Sequence, residues 1–206
     1  MKPGTTIVLT IAMVLGILAG SYVFKFGNSP ERVELKHGSL IQNPRALQPF
    51  SLKDHRQQAF DLNSVKGQWS LLNFGYTHCP DICPTTLAVL SQMDGKLSPE
   101  VKKQLNVFFI SVDPDRDTLE HLAKYVTFFN KDFIGATGPE KKLEPLTREL
   151  GVLYRKVEQK DSAMEYTLDH SALIYLIDPQ GRLRAVFNTS HHAGAIAEDI
   201  TTLVNT

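Results

Sequence analysis

Two cysteines, four residues apart, are the side chains in this sequence best suited to chemistry. Cys79 and Cys83 lie within GYTHCPDICPTT at residues 75–86, and a proline follows each of them. An apolar run at residues 69–74 predicts a buried strand before this loop, and a helical pattern follows at residues 87–93. Two thiols between a strand and a helix predict either a disulfide bond or a site for a soft metal ion.

The helix predicted after the cysteines favours their thiolate forms. If the loop begins a helical turn, both sulfur atoms lie on one face of the helix. The amide groups at a helix N-terminus stabilise negative charge and lower a thiol pKa below its usual value of about 8.5. Pro84 suits the first turn, where no N–H group is needed. The sequence therefore predicts two close, partly exposed thiolates.

Two thiolates leave a metal site incomplete, and a histidine is the natural third donor. His170 stands apart because it lies directly before an apolar strand predicted at residues 172–177, although it could also be a histidine held by protein groups at a strand entry. His78 adjoins Cys79, but neighbouring side chains in a turn usually diverge. The other histidines are predicted to be solvated or to lie near a helix cap: His37, His55, His121, His191 and His192.

Three functions use this set of residues differently. Soft thiolates with one imidazole suit copper, particularly Cu(I), and also zinc, but a structural zinc site takes four protein ligands and the sequence offers no obvious fourth. A thiol–disulfide oxidoreductase would need only the cysteines, one thiolate attacking and the other resolving. A thiol peroxidase is disfavoured, because it would not require the paired prolines or the distant histidine.

Alternating strands and helices must position these residues. The pattern indicates an α/β fold with a mixed sheet. The predicted strands are 49–52, 59–62, 69–74, 106–112, 133–136, 172–177 and 183–187, and the predicted helices are 85–96, 121–129, 139–150 and 192–204. Asp113, Asp115 and Asp117 are predicted to form a turn that ends in a helix cap at Asp117 or Thr118, with partner docking as the alternative.

Composition argues against a nucleic-acid partner. Lys+Arg and Asp+Glu both number 22, so the formal net charge is zero and gives no electrostatic reason to expect nucleic acid. Hydrophobic residues make up 42% of the chain, which is enough apolar material for one medium-sized domain.

The N-terminal region predicts a membrane anchor. Residues 5–24 carry no charge and as a helix would span roughly 30 Å, the thickness of the hydrocarbon core of a bilayer. Lys2 precedes this run and favours a cytoplasmic N-terminus with an exported domain. A cleaved signal peptide is the competing interpretation. The predicted organisation is an anchor at residues 1–26, a polar linker at 27–45 and a folded domain at 46–206.

Three motifs in this order together resemble the Sco/SenC family. They are GYTHCPDICPTT at residues 75–86, SVDPDRDT at 111–118 and LDHS at 168–171, and the resemblance extends over about residues 49–204. Members of that family are membrane-anchored, thioredoxin-like copper proteins that help to assemble the binuclear copper centre of cytochrome c oxidase. The resemblance implies a thioredoxin-like fold, with a mixed central sheet flanked by helices and preceded by one transmembrane helix.

The resemblance also implies a metal site and partners. It implies that Cys79, Cys83 and His170 bind one copper ion per chain, as Cu(I) or Cu(II), because in thioredoxin-like folds the loop before such a strand approaches the cysteine loop. The implied partners are the copper-accepting subunit of cytochrome c oxidase and other copper chaperones. The implied location is the cell inner membrane, with the domain facing the periplasm. Copper delivery and reduction of the partner's disulfide both remain open.

Overall fold

The computed structural model describes residues 13, 16, 34–159, 165–189 and 192–206. The chain divides into two compact units, Met1–Val33 and Glu34–Thr206, and the second unit contains the fold described below. The anchor predicted at residues 5–24 lies outside the described residues except at positions 13 and 16. Within the described part of the chain, no helix has the length and apolar character needed to cross a membrane.

Strands and helices alternate through the second unit as the sequence predicts. The strands are β1 (Ser39–Leu40), β2 (Ser51–Asp54), β3 (Ala59–Asp61), β4 (Trp69–Gly75), β5 (Leu105–Ser111), β6 (Ile134–Thr137), β7 (Tyr154–Glu158), β8 (Tyr166–His170), β9 (Leu173–Ile177) and β10 (Leu183–Asn188). The helices are α1 (Ile82–Lys96), α2 (Pro99–Lys102), α3 (Leu119–Phe129), α4 (Glu140–Glu149) and α5 (Ala193–Val204), with a 3₁₀ helix at Leu62–Val65.

Eight strands form one mixed sheet in the order β1-β10-β9-β4-β5-β6-β2-β3. The pairs β4–β5 and β5–β6 are parallel, whereas β9 lies antiparallel on the other side of β4. Strands β4 and β5 lie at the centre because they are almost continuously apolar, which suits a strand that is buried on both faces. The mixed α/β architecture predicted from the sequence is confirmed.

Helix α1 directly follows the cysteine loop and packs against α5. Its buried side chains include Leu87, Leu90 and Met93, which is the apolar face that the helical spacing predicts. The sequence predicts that this helix begins at residue 85, but in the structure it begins three residues earlier, at Ile82. As a result, Cys83 lies inside the first helical turn.

A two-stranded ribbon, β7 paired with β8, is missing from the sequence prediction. Most residues of both strands are half-buried or exposed and many are polar, and Leu168 is the one buried residue of the pair. The ribbon therefore lacks the run of apolar positions that marks a strand in sequence. The ribbon has one direct consequence for the site. His170, predicted to lie in a loop, is the last residue of β8 and pairs with Tyr154.

The first strand of the sheet falls inside the stretch predicted as a linker. Strand β1 pairs with β10 at the edge of the sheet. The backbone just before it is held by the buried carboxylate of Asp199, which accepts hydrogen bonds from the backbone N–H groups of Lys36, His37 and Gly38 at 2.9, 2.9 and 2.6 Å. The chain is thus built into the fold well before residue 46.

Candidate metal centre

The loop after β4 and the first turn of α1 place one sulfur atom in the interior and one nearer the surface. The Cys83 side chain is 1% exposed and the Cys79 side chain is 9% exposed. Gly75 makes room for the inner sulfur, because a Cβ atom at that position would lie 2.5 Å from Cys83 Sγ and 2.9 Å from Phe109 Cε2. Both thiols are therefore less exposed than the sequence predicts.

The structure brings the three predicted ligands together. One donor atom each from Cys79, Cys83 and His170 lies within 4.8 Å of the other two. Cys83 Sγ lies 3.3 Å from His170 Nε2. These atoms come from separate parts of the fold, since Cys79 lies in the loop before α1, Cys83 lies in the first turn of α1, and the imidazole belongs to the end of β8.

The orientation of the His170 ring suits metal binding. Its Nδ1 atom lies 3.2 Å from the backbone carbonyl oxygen of Ser171. A carbonyl can only accept a hydrogen bond, so Nδ1 carries the proton in this contact and Nε2 presents its lone pair to the sulfurs. Ser171 thus orients the ring through its backbone carbonyl. Asp169 instead pairs with Arg155 at 3.3 Å on the surface.

The two thiols have opposite pKa shifts. The hydrogen bond that the Cys83 thiol donates to Cys79 lowers the pKa of Cys79. The hydrogen bond to Cys79, together with burial, raises the pKa of Cys83. Cys79 is therefore the first thiolate of the pair. A metal ion that binds both sulfurs must displace the remaining proton from Cys83.

Asp117, which follows β5, fixes the start of the cysteine loop. Its fully buried carboxylate accepts hydrogen bonds from the Thr77 backbone N–H at 2.9 Å, from Thr77 Oγ1 at 2.6 Å and from Ser111 Oγ at 2.5 Å. The helix cap is the neighbouring Thr118, whose hydroxyl accepts from the backbone N–H of His121 at 3.2 Å. Of the two residues proposed as the cap, Thr118 performs that role and Asp117 positions the loop.

Asp113 and Arg116 connect the same acidic loop to the ribbon that carries His170. The Asp113 carboxylate accepts a hydrogen bond from Arg116 Nε at 2.6 Å and another from the Tyr166 hydroxyl at 2.7 Å. Arg116 Nη1 donates to the Tyr166 carbonyl oxygen at 3.0 Å, and its guanidinium group lies 3.6 Å from the centroid of the Tyr166 ring. One loop thus holds both elements that supply metal donors.

An open groove of about 510 Å³ borders His170. Leu153, on one wall of the groove, is 77% exposed, and its backbone is fixed by hydrogen bonds to Ser171. The groove gives another molecule a route to the imidazole edge of a site whose sulfurs are largely buried.

Among the described residues, no further histidine joins the three-donor cluster. His55 is half-buried rather than solvated, because its Nδ1 atom accepts a hydrogen bond from the backbone N–H of Gly135 at 3.0 Å. The ring of His78 lies against the ring of His121. Of the remaining histidines, His37 lies beside Glu198 and His192 is the N-terminal cap residue of α5. His191 lies outside the described residues.

Fold and site together define a class of protein. It is a mixed α/β domain in which two thiols after a central strand meet an imidazole from a separate ribbon, and these donors suit a soft metal ion. The family model described as SCO1/SenC matches residues 39–205. The chain belongs to the SCO1/SenC family.

Individual relatives agree with this assignment. A putative copper-binding protein of Stutzerimonas stutzeri is 37% identical over 145 residues, which cover 70% of this chain and 70% of that protein. The mitochondrial protein SCO1 homolog of Homo sapiens is 34% identical over 206 residues, covering 98% of this chain and 68% of the human protein.

A solved structure confirms the fold. Bradyrhizobium japonicum ScoI with copper bound superimposes with a TM-score of 0.69 at 36% identity, over 76% of this chain and 98% of that chain. The thioredoxin-like fold implied by the sequence resemblance is confirmed.

Proposed function

We propose that this protein is a copper-binding assembly factor that helps to mature the binuclear copper centre of cytochrome c oxidase. The observation that carries the proposal is the convergence of two thiols and one imidazole within 4.8 Å. Membership of the SCO1/SenC family and similarity to a copper-bound ScoI structure support copper as the ion.

Copper is held by Cys79 Sγ, Cys83 Sγ and His170 Nε2, one ion per chain. The thiolates favour Cu(I), and the imidazole adds the nitrogen donor that a Cu(II) ion needs. A structural zinc site takes four protein ligands. The three-donor set of this site supports copper over structural zinc.

The copper ion is the cargo of the protein and leaves by ligand exchange. The proposed receiver is the copper-accepting subunit of cytochrome c oxidase, and other copper chaperones are the proposed source. Two features support this use of the site. Three protein donors leave room for an incoming ligand, and the groove beside His170 opens the site to another molecule.

Residues 1–26 anchor the protein in the inner membrane, with the folded domain on the periplasmic side. The uncharged run at residues 5–24 and the preceding Lys2 support this arrangement. A linker follows the anchor, and the compact unit that begins at Glu34 forms the copper-binding domain.

A thiol–disulfide oxidoreductase acting on the cysteines of a copper-accepting partner is the second candidate. It is favoured by the lowered pKa of Cys79, since a thiolate is the attacking species, and by the adjacent Cys83, which can resolve a mixed disulfide. This function requires no contribution from His170.

Metal analysis of the reduced, full-length protein in detergent tests the copper proposal. After incubation with Cu(I) and removal of unbound metal, the wild type should retain about one copper per chain, whereas Cys79→Ser/Cys83→Ser should retain little. Thr85→Ser, an exposed conservative change two residues after Cys83, is the matched control and should bind like the wild type. Equal copper retention by the double variant and the wild type would contradict the proposal.

A further inference from the structure

We propose that His78 and His121 form a second, weaker metal site that takes Cu(II). Their ring centroids lie 5.6 Å apart, with an angle of 71° between the ring planes. The inference goes beyond the proposed function, because it uses neither thiol and does not involve His170.

The separation of the rings fits a shared ion. With metal–nitrogen bonds of about 2.0 Å, two imidazoles bound to one ion have centroids roughly 5 to 6 Å apart. Both residues also start from fixed backbone positions. His78 follows Thr77, which Asp117 holds through two hydrogen bonds, and His121 lies in the first turn of α3, where Thr118 caps its N–H group.

The surroundings of His78 provide a second, independent indication. Its Nδ1 atom lies 3.1 Å from Thr77 Oγ1 and 3.6 Å from Asp117 Oδ1. Because the Thr77 hydroxyl donates its own proton to Asp117 at 2.6 Å, its oxygen can accept a hydrogen bond from His78 Nδ1–H. Such a contact fixes the ring of a metal-binding histidine and leaves the other nitrogen as the donor. His78 is 39% exposed and His121 is exposed, so an ion can reach the pair from solvent.

The donor chemistry selects the ion. Two imidazoles without a thiolate suit a divalent ion of borderline softness, and Cu(II) binds such donors more tightly than the other first-row divalent ions. Water must complete the coordination, so binding is weaker and more readily exchanged than at the thiolate site. A cupric ion held here would be bound by His78, the residue that directly precedes Cys79 in the chain.

Cu(II) titration of the full-length chain in detergent tests this site. The measurement is made on the Cys79→Ser/Cys83→Ser background, which removes the thiolates, and electron paramagnetic resonance follows binding. We expect one Cu(II) with nitrogen hyperfine structure. Adding His121→Ala should lower the affinity roughly tenfold or more, because chelation by two rings becomes binding by one. Adding His37→Ala, a histidine at the start of the domain, should leave the affinity unchanged.

Proton spectra of the histidine rings provide the second measurement. Substoichiometric Cu(II) should broaden the ring signals of His78 and His121 before those of His37. Equal Cu(II) affinity with and without His121, or simultaneous broadening of all three rings, would overturn the second site. Neither result bears on Cu(I) retention by the cysteines, so failure of this inference is distinguishable from failure of the proposed copper carrier.

Discussion

At the scale of single residues, the candidate metal site depends on some residues that donate ligand atoms and on others that make room for them. Cys79, Cys83 and His170 supply donor atoms. Gly75 supplies space, because any side chain there would meet the inner sulfur and the Phe109 ring. Small changes at these positions should therefore alter copper binding in distinguishable ways.

Replacing His170 with alanine should separate the two candidate functions. Thiol–disulfide exchange needs an accessible thiolate and a resolving thiol, whereas Cu(II) binding needs the nitrogen donor. We expect His170→Ala to weaken Cu(II) binding by roughly tenfold or more and to change the thiolate-to-copper absorption. Formation of the Cys79–Cys83 disulfide, followed by thiol alkylation, should remain intact, and some Cu(I) binding should survive.

The same variant can be tested in cells by measuring cytochrome c oxidase activity when copper is limiting. A copper carrier should lose activity when His170 is replaced, and added copper should partly restore it. Full oxidase activity in His170→Ala, together with loss in the cysteine variants, would instead favour the reductase. His192→Ala, at the cap position of α5, is the control for loss of an imidazole elsewhere.

Gly75→Ala should disturb the inner sulfur. The added Cβ would lie 2.5 Å from Cys83 Sγ, so the sulfur or the strand must shift. We expect a loss of about 1–3 kcal/mol in the free energy of unfolding, as for other overpacked cores, and weaker copper binding. Urea unfolding and copper titration measure the two effects. Gly95→Ala in α1 is the control, because its Cβ meets nothing within 4 Å and a helical alanine should stabilise slightly. Similar urea unfolding midpoints for Gly75→Ala and Gly95→Ala would contradict the expectation that a side chain at position 75 disturbs the packing.

At the scale of elements, the acidic loop after β5 links the cysteine loop to the β7–β8 ribbon. Asp117 holds the cysteine loop, and Asp113 with Arg116 holds Tyr166. The distance between the sulfurs and the His170 imidazole therefore depends on this loop. Removing one of these hydrogen bonds should make the position of the donor atoms less well fixed while keeping all three donors.

Tyr166→Phe tests this connection. The substitution removes the hydroxyl that donates to the buried Asp113 and keeps the aromatic ring. We expect a loss of about 1–3 kcal/mol in the free energy of unfolding, together with faster amide exchange in the ribbon and weaker copper binding. Tyr175→Phe is the matched control, since that hydroxyl has no hydrogen-bond partner among the described residues and its loss should cost little. Unchanged ribbon exchange in Tyr166→Phe would show that the connection does not position His170.

The parts of the fold predictable from sequence are those with a strong local pattern. Strands β4 and β5 are almost continuously apolar, and Leu87, Leu90 and Met93 mark α1 at helical spacing. The ribbon was missed because its strands are largely polar and bury one apolar residue, Leu168, which is too little for a sequence pattern. The sequence did not predict that Asp117 positions the cysteine loop, because its hydrogen-bond partner Thr77 lies 40 positions away and a local sequence pattern cannot reveal such a contact.

At the scale of the whole molecule, the proposal joins a membrane anchor to a domain outside the cytoplasm. Full-length protein should remain with membranes after alkaline carbonate extraction, because an uncharged run of 20 residues is long enough to span the hydrocarbon core. A chain lacking residues 1–26 is the control and should be extracted. Recovery of the full-length protein in the soluble fraction would contradict the anchor. Cleavage of the domain by a protease confined to the cytoplasm would contradict the orientation.

The origin of the donors in two separate elements has a consequence for the lifetime of the protein. Cys83 and His170 are 87 positions apart in the chain, so a bound ion acts as a cross-link that closes a long loop. A ligand that binds the folded state but not the unfolded state shifts the folding equilibrium in proportion to its affinity and concentration. The copper-loaded domain should therefore melt at a higher temperature and resist proteolysis better than the empty domain. Chains that never receive copper would then be degraded first, and the supply of the metal would set how much of this protein persists.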